Sequence, residues 1–321
     1  MNFGFAIPTR GPLATPSAIM TLAQKGEELG FGFLAVSDHL IIPNDIRSRY
    51  PYSPTGEFGN DGDCMDQLSL LSFLAGITVN IRLLSSVLVL PHRNPFLAAK
   101  ALSTIDVLSG GRLTVGCGVG WMREEFEVLG APPYEERGRV GNEYIQAFKE
   151  LLSSEKPEFT GKHVRLKDVT FAPRPVQKPH PPIWIGGESP AALRRVGQLG
   201  DAWYPIGTNP RFPVETPGQY MAALDRIHEH AAANGRDASQ IDLAYSAAGT
   251  SVTASRKKTA LRQLFTGDPA DVAEDADSFR KLGVRHIRIG LERPDLSEMI
   301  DVLEQFAMDV MPLVAKTQEH R

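Results

Sequence analysis

The stretch LLSSVLVLPHRNPFLAAKALSTIDVLSGGRLTVGC, residues 83–117, contains the unit from which the whole chain is built. Leu83–Val89 is a nearly continuous apolar run, the pattern of a strand covered on both faces. A helical pattern then opens at Pro95, runs to Leu108 and stops at Gly110-Gly111. Proline suits the first helical turn, and glycine suits the position past the last. Leu113–Cys117 is the next apolar strand. Strand, helix and strand in this order pair in parallel through a right-handed crossover.

The same alternation extends in both directions. Upstream, Phe3–Ile7 reads as a strand, Ser17–Leu29 as a helix closed by Gly30, Phe33–Ser37 as a strand and Asp66–Val79 as a helix. Downstream, strands are expected at Ile183–Ile185, Asp201–Pro205, Ile241–Tyr245 and Arg285–Ile289. Helices are expected at Tyr134–Leu152, Pro190–Leu199, Gly218–Ala233, Ala270–Leu282 and Leu296–Val314. Eight strands and eight helices in alternation predict an α/β fold of the TIM (β/α)8 barrel type, in one domain over residues 1–321. A doubly wound open sheet is the other fold that such an order permits. Two segments exceed what a barrel requires. One follows strand two (Pro43–Cys64, with Tyr50, Tyr52 and Phe58), where a long loop reads as a lid or binding segment. The other precedes strand five (Ser153–Pro182) and reads as a small hairpin with a proline-rich connector.

Composition narrows the function classes. The 321 residues carry a net charge of -4 and are 42% hydrophobic, which argues against wholesale disorder. The slight acidity leaves no general footprint for nucleic acid or anionic membrane, so neither is expected as a partner. Cys64 and Cys117 cannot form a disulfide scaffold or a four-cysteine zinc site, and they fit a reducing compartment. The strongly apolar stretch Leu68–Val79 is too short to span a bilayer, and MNFGFAIP does not lead as a secretion signal does. A soluble cytoplasmic protein is expected.

In such a barrel, chemistry belongs at the strand C-termini and the loops that follow. His39 sits there after strand two, where an imidazole can exchange a proton with a bound ring. Asp38 either orients it or caps the next turn. A histidine held only by backbone hydrogen bonds is the structural alternative. His92, His163, His180, His228, His230, His286 and His320 lack comparable placement, and most are expected to be exposed. Gly186-Gly187-Glu188-Ser189-Pro190 follows strand five and opens a helix, either as an anion-binding turn or as an ordinary capped loop. Gly116-Cys117-Gly118-Val119-Gly120-Trp121 ends strand four. It is no dinucleotide fingerprint, because Trp121 occupies the third glycine's place. Its glycines leave room for a flat ring or serve barrel packing, and Cys117 reads as a small buried residue. No metal or nucleophile-elbow motif is present. Glu124, Glu125 and Glu127 are expected on a solvated turn.

Together these segments resemble a known family. Val36-Ser37-Asp38-His39, Ser85 to Pro95, Ile105 to Leu113, Gly118 to Trp121, Glu125 to Gly130, Pro182 to Gly187 and Gly200 to Trp203 are similar to the bacterial luciferase-like flavin and F420-dependent oxidoreductases. The resemblance covers the chain up to about Tyr204. It implies a tricyclic ring near strands three and four, held by Asp38, His39, Ser86, Val87, Gly118 and Gly120. It also implies a non-proline cis peptide at Ser86–Val87, and a phosphate at Gly186, Gly187, Glu188 and Ser189. His39 matches the active-site histidine of the deazaflavin-using sugar-phosphate dehydrogenases. The match departs where those enzymes carry a tryptophan and an acid; this chain has Ile42-Pro43-Asn44 and Trp121 there. The implied cofactor is coenzyme F420, with FMN in a monooxygenase as the alternative. The implied reaction is hydride transfer to or from a small organic substrate in a pocket shaped by Trp121, Tyr50 and Tyr52. A non-catalytic flavin-binding barrel and a non-redox enzyme for a phosphorylated metabolite are further alternatives, and a homodimer is plausible.

Overall fold

The computed structural model describes residues 1–59, 63–253 and 262–319. Eight parallel strands close into a barrel: β1 (Asn2–Ala6), β2 (Phe33–Val36), β3 (Arg82–Val89), β4 (Leu113–Gly118), β5 (Ile183–Gly186), β6 (Ala202–Tyr204), β7 (Asp242–Ala247) and β8 (His286–Ile289). They stand in chain order around the barrel, and β8 returns to β1 with Asn2 opposite His286 and Phe5 opposite Ile289. The sheet is closed, so the open-sheet alternative is excluded.

The helices are α1 (Pro16–Glu28), α2 (Gln67–Ile77), α3 (Pro95–Leu108), α4 (Arg123–Leu129), α5 (Arg137–Ser153), α6 (Pro190–Leu199), α7 (Pro217–Ala233), α8 (Pro269–Lys281), α9 (Leu296–Gln305) and α10 (Met311–Glu319). α1, α3, α6, α7 and α8 each open with proline, after a Thr, Asn, Ser or Asp whose side chain accepts a first-turn N–H. This pairing makes their starts readable from sequence. Alternate strand residues face outward into the layer between strands and helices, among them Leu83, Val115, Ile185 and Ile287. The inward set includes Phe33, Leu84, Trp184, Tyr204 and Ala244. None of the described helices is long and apolar enough to cross a membrane.

Several expectations need correction. The segment expected as a solvated turn is α4, which buries Glu124 and Glu125 and exposes Glu127. α5 starts at Arg137, later than expected, because a 3-10 turn over Tyr134–Glu136 follows Pro132-Pro133. The expected last helix is interrupted by a π-turn at Phe306–Val310, where the Phe306 ring packs 5.1 Å from that of Phe3. The hairpin before β5 is present, Phe159–Thr160 pairing antiparallel with Arg165–Leu166. A third insertion follows β7, where Ser251–Val252 pairs in parallel with Thr266–Gly267. The histidines are mostly not exposed. Among those described, His228 is exposed, His163, His180, His230 and His286 are half-buried, and His92 is buried against the Phe126 ring at 4.7 Å. His320 lies outside the described residues.

Candidate active site

The β3 exit is irregular at the position the resemblance implies. The Ser86–Val87 peptide is cis, and the β3–β4 register shifts between Ser85 and Leu88. Val87 then projects toward the ends of β4 and β5. A Cβ at Gly118 would lie 2.5 Å from Val87 Cγ2, and one at Gly186 would lie 3.1 Å from Cγ1. The packing reading therefore explains these two glycines by itself. It also explains Gly120, whose φ is +80° and whose Cβ would meet Phe126 and Val89. The Cys117 thiol is pushed up to about 12 by burial, which fits a packing residue and not a nucleophile.

His39 has a partner that the sequence did not reveal. Its Nδ1 lies 2.7 Å from Glu125 Oε2. Glu125 Oε1 accepts the N–H groups of Leu40 at 2.8 Å and Ile41 at 3.3 Å. The Glu125 side chain is fully buried. Burial pushes its carboxyl up, but the His39 hydrogen bond, the His39 and His92 imidazoles and the Leu40 N–H outweigh it, and the net direction is down. Glu125 is therefore ionised, and His39 Nδ1 donates to it. Nε2 makes no hydrogen bond among the described residues. His92 Nδ1 stands 3.7 Å from Glu125 Oε1, and burial lowers the His92 pKa.

Asp38 neither orients His39 nor caps a turn. Its carboxylate accepts a forked pair from Arg93, Nη1 at 2.6 Å and Nη2 at 2.8 Å, and the Val89 N–H at 2.8 Å. It ties the exit of β2 to the exit of β3 just past the bulge.

The long loop after β2 folds over the barrel mouth. Tyr50, Phe58 and Trp121 pack with ring centroids 5.1–5.2 Å apart, and His39 lies 5.0 Å from Phe58 and 6.4 Å from Trp121. Tyr52 reaches across to hydrogen-bond Glu188 in the β5–α6 loop. Glu188 also accepts from Ile206 N–H at 2.6 Å and from Asn209 Nδ2 at 3.0 Å. Its carboxylate is thus directed inward, while Ser189 caps α6 through the Ala192 N–H at 3.2 Å.

Burial raises the Glu188 carboxyl to about 7, against the lowering effect of these donors. The folded chain therefore binds this proton more tightly than the unfolded chain does. Stability should fall as pH rises from about 4.5 through 7, by roughly 3 kcal/mol as an upper bound. Thermal melts at pH 5 and pH 8 should show a larger loss for the wild type than for Glu188→Gln. Equal losses would remove Glu188 as the source.

Residues 1–281 match the family model described as luciferase-like monooxygenase. The chain belongs to that family. This luciferase-like chain is 34% identical to an FMNH2-dependent dimethylsulfone monooxygenase of Pseudomonas putida over 183 residues, 56% of this chain and 48% of the relative. The match thus spans about half the length of that enzyme. Among solved structures, a monooxygenase from Streptomyces bottropensis superposes with a TM-score of 0.77 at 21% identity, covering 97% of this chain and 99% of its own. The coenzyme F420-dependent tetrahydromethanopterin reductase of Methanopyrus kandleri gives 0.73 at 19% identity, covering 97% and 98%. At these identities the two structures show a shared fold.

Of the luciferase-like site expected from sequence, the structure brings His39, Trp121 and Tyr50 together and sets them beside the Ser86–Val87 bulge, since Val36 pairs with Ser85. It separates Asp38 and Glu188 from any exposed surface, because both are buried in their own networks. Sequence reasoning missed Glu125. The signal was available: Met122, Phe126 and Leu129 form a stripe at helical spacing, and Glu125 lies on the same face.

Proposed function

We propose that this luciferase-like chain is an oxidoreductase that holds a flavin-type ring at the ends of β3 and β4 and uses His39 to move the accompanying proton. The observation that carries this reading is the fully buried Glu125 at 2.7 Å from His39 Nδ1, with Nε2 left free beside the mouth aromatics. The residues present fit a flat ring. Ser86 and Val87 offer a bulge for the ring to rest on, with Gly118 and Gly120 packed around it by Val87 and Phe126, and Gly187 and Ser189, beside Gly186, offer a helix start for a phosphate. Asp38 and Glu188 support this arrangement from behind.

When bound, a flavin supplies hydride exchange with substrate and, as reduced FMN, oxygen activation. The chain's own contribution is positional and protonic. With Nδ1–H committed to ionised Glu125, Nε2 accepts a proton, and the buried carboxylate then balances the imidazolium. In the reverse direction Nε2 donates. Tyr50, Tyr52, Phe58 and Trp121 exclude water and shape the substrate pocket.

FMN is the first cofactor reading, because the 34%-identical relative is an FMNH2-dependent monooxygenase. Coenzyme F420, the cofactor first implied by the resemblance, is the second. Fluorescence titration of the purified protein with each cofactor, followed by turnover with and without oxygen, decides between them. Micromolar FMN binding without F420 binding supports the first reading. Binding of neither sinks both. Cofactor reduction that no substrate reoxidises would favour a flavin-binding barrel without catalysis.

A homodimer through α2 and α3 accompanies this reading. Leu97, Leu108, Phe73, Val107 and Phe96 are between 39% and 72% exposed on these helices, an apolar face that water does not favour. Light scattering should give twice the 35.1 kDa chain mass, and Leu97→Glu should shift it toward one. A wild-type monomer would reject the dimer.

A further inference from the structure

One cation inside the barrel takes no part in the roles above. On β8, the His286 ring packs 4.9 Å from Trp184 and 6.4 Å from Phe33, both on the interior face. Ile287 and Ile289 face the helices. Arg288 therefore shares the interior with His286, one step nearer the mouth. Its side chain is 17% exposed. Nη1 donates to Ser246 Oγ at 3.3 Å, and Nη2 to Glu292 Oε1. Tyr204 OH lies 3.1 Å from Ser86 Oγ and also hydrogen-bonds Ser246. Hydroxyls from β3, β6 and β7 and the guanidinium of β8 thus form one chain across the interior.

All four groups can donate hydrogen bonds. Among the described residues the ion-pair partner of Arg288 is Glu292, four residues on and 49% exposed. The carboxylate below, Asp242, is engaged by His286 at 3.1 Å and Arg285 at 2.7 Å. A mostly buried guanidinium, balanced by a carboxylate reaching in from the surface, sits among hydroxyl donors. This arrangement suits exchange of that carboxylate for another oxyanion, which a guanidinium fork binds with two parallel hydrogen bonds.

We propose that Arg288, with Ser246 and Tyr204, holds the oxyanion end of a small organic substrate, a carboxylate or sulfonate, at the mouth it shares with His39, where β1 alone stands between β8 and β2. The proposal rests on the reading that this mouth is the redox site, and it names the class of substrate. Glu292 is the displaceable stand-in for that group.

Calorimetric titration of the purified protein, with and without saturating FMN, tests it with benzoate and its neutral counterpart benzamide. Benzoate should bind at least about tenfold tighter than benzamide. Arg288→Met should weaken benzoate by about 10- to 100-fold, the usual size for a lost charge-assisted contact. Arg288→Lys, which keeps the charge without the fork, should fall between. Glu292→Gln should tighten benzoate by removing its competitor. Should Arg288→Met fail to fold, the lysine and glutamine variants carry the same comparison. Equal affinities for benzoate and benzamide, benzoate binding unmoved in every variant, or no benzoate binding to the wild type would each overturn the proposal. FMN and F420 titrations of the same samples keep the two readings apart. Cofactor binding without Arg288-dependent benzoate binding removes the anion site alone, and the converse removes the redox reading alone.

Discussion

Glu125→Gln should lower turnover by about 10²- to 10⁴-fold, the range lost when a positioned acid–base group fails, and should approach the loss in His39→Ala. The reason lies in which atoms the amide can satisfy. Glu125 Oε1 accepts two backbone N–H groups, from Leu40 and Ile41. Only the amide oxygen can take that role, so the NH2 of a glutamine faces His39 Nδ1. Nδ1 must then accept, and the proton moves to Nε2, the wrong tautomer for a base at the mouth. The imidazolium also loses its buried counter-charge. A merely structural role for Glu125 would change the melting temperature and leave turnover near the wild-type level. Cofactor affinity should stay within about twofold in both variants, because neither side chain is needed for the bulge or the glycine-lined strand ends. Wild-type turnover in Glu125→Gln would take the pair out of the mechanism.

The barrel was legible because its signals are local. Proline behind a capping side chain marks five helix starts, and apolar runs such as Leu83–Val89 mark strands buried on both faces. His39 was legible because barrel topology alone places the residue after β2 at the mouth. Its partner was not, because Glu125 is 86 residues away and meets it only through closure of β2 beside β3 and β4. A short helix rich in glutamate reads as a solvated face unless its apolar stripe is traced. Arg288 was overlooked for a related reason. Arginine in a strand pattern is normally an edge or surface residue, and only the register with β7 places it inside. The Tyr52–Glu188 contact joins loops after β2 and β5, which no local pattern encodes.

The largest effect on stability should come from Asp38, which, instead of orienting His39 or capping a turn, clamps two strand exits. Its side chain is fully buried, and that of Arg93 is 11% exposed. Together they form a forked ion pair at 2.6 and 2.8 Å. Asp38→Ala leaves a mostly buried guanidinium without its main partner and the Val89 N–H without an acceptor. Removing one member of such a pair costs about 3–5 kcal/mol, because the remaining charge has been taken out of water without compensation. Asp66 softens this only in part, since it holds Arg93 at 2.9 Å from a carboxylate that is 40% exposed. The melting temperature should fall by roughly 4–8 °C. Asp38→Asn keeps an acceptor for Val89 and should lose less. The double change Asp38→Leu with Arg93→Met should be milder than Asp38→Ala alone, because apolar replacement of both partners leaves no orphaned charge. That ordering distinguishes a charge clamp from simple packing, in which the double variant would be the worst of the three. Since the clamp closes just past the Ser86–Val87 bulge, cofactor affinity should weaken along with stability in Asp38→Ala. In Glu125→Gln, by contrast, turnover changes while cofactor affinity does not. An Asp38→Ala protein with the wild-type melting temperature would mean that Arg93 finds full compensation elsewhere, and Asp38 would then have no structural role of this size.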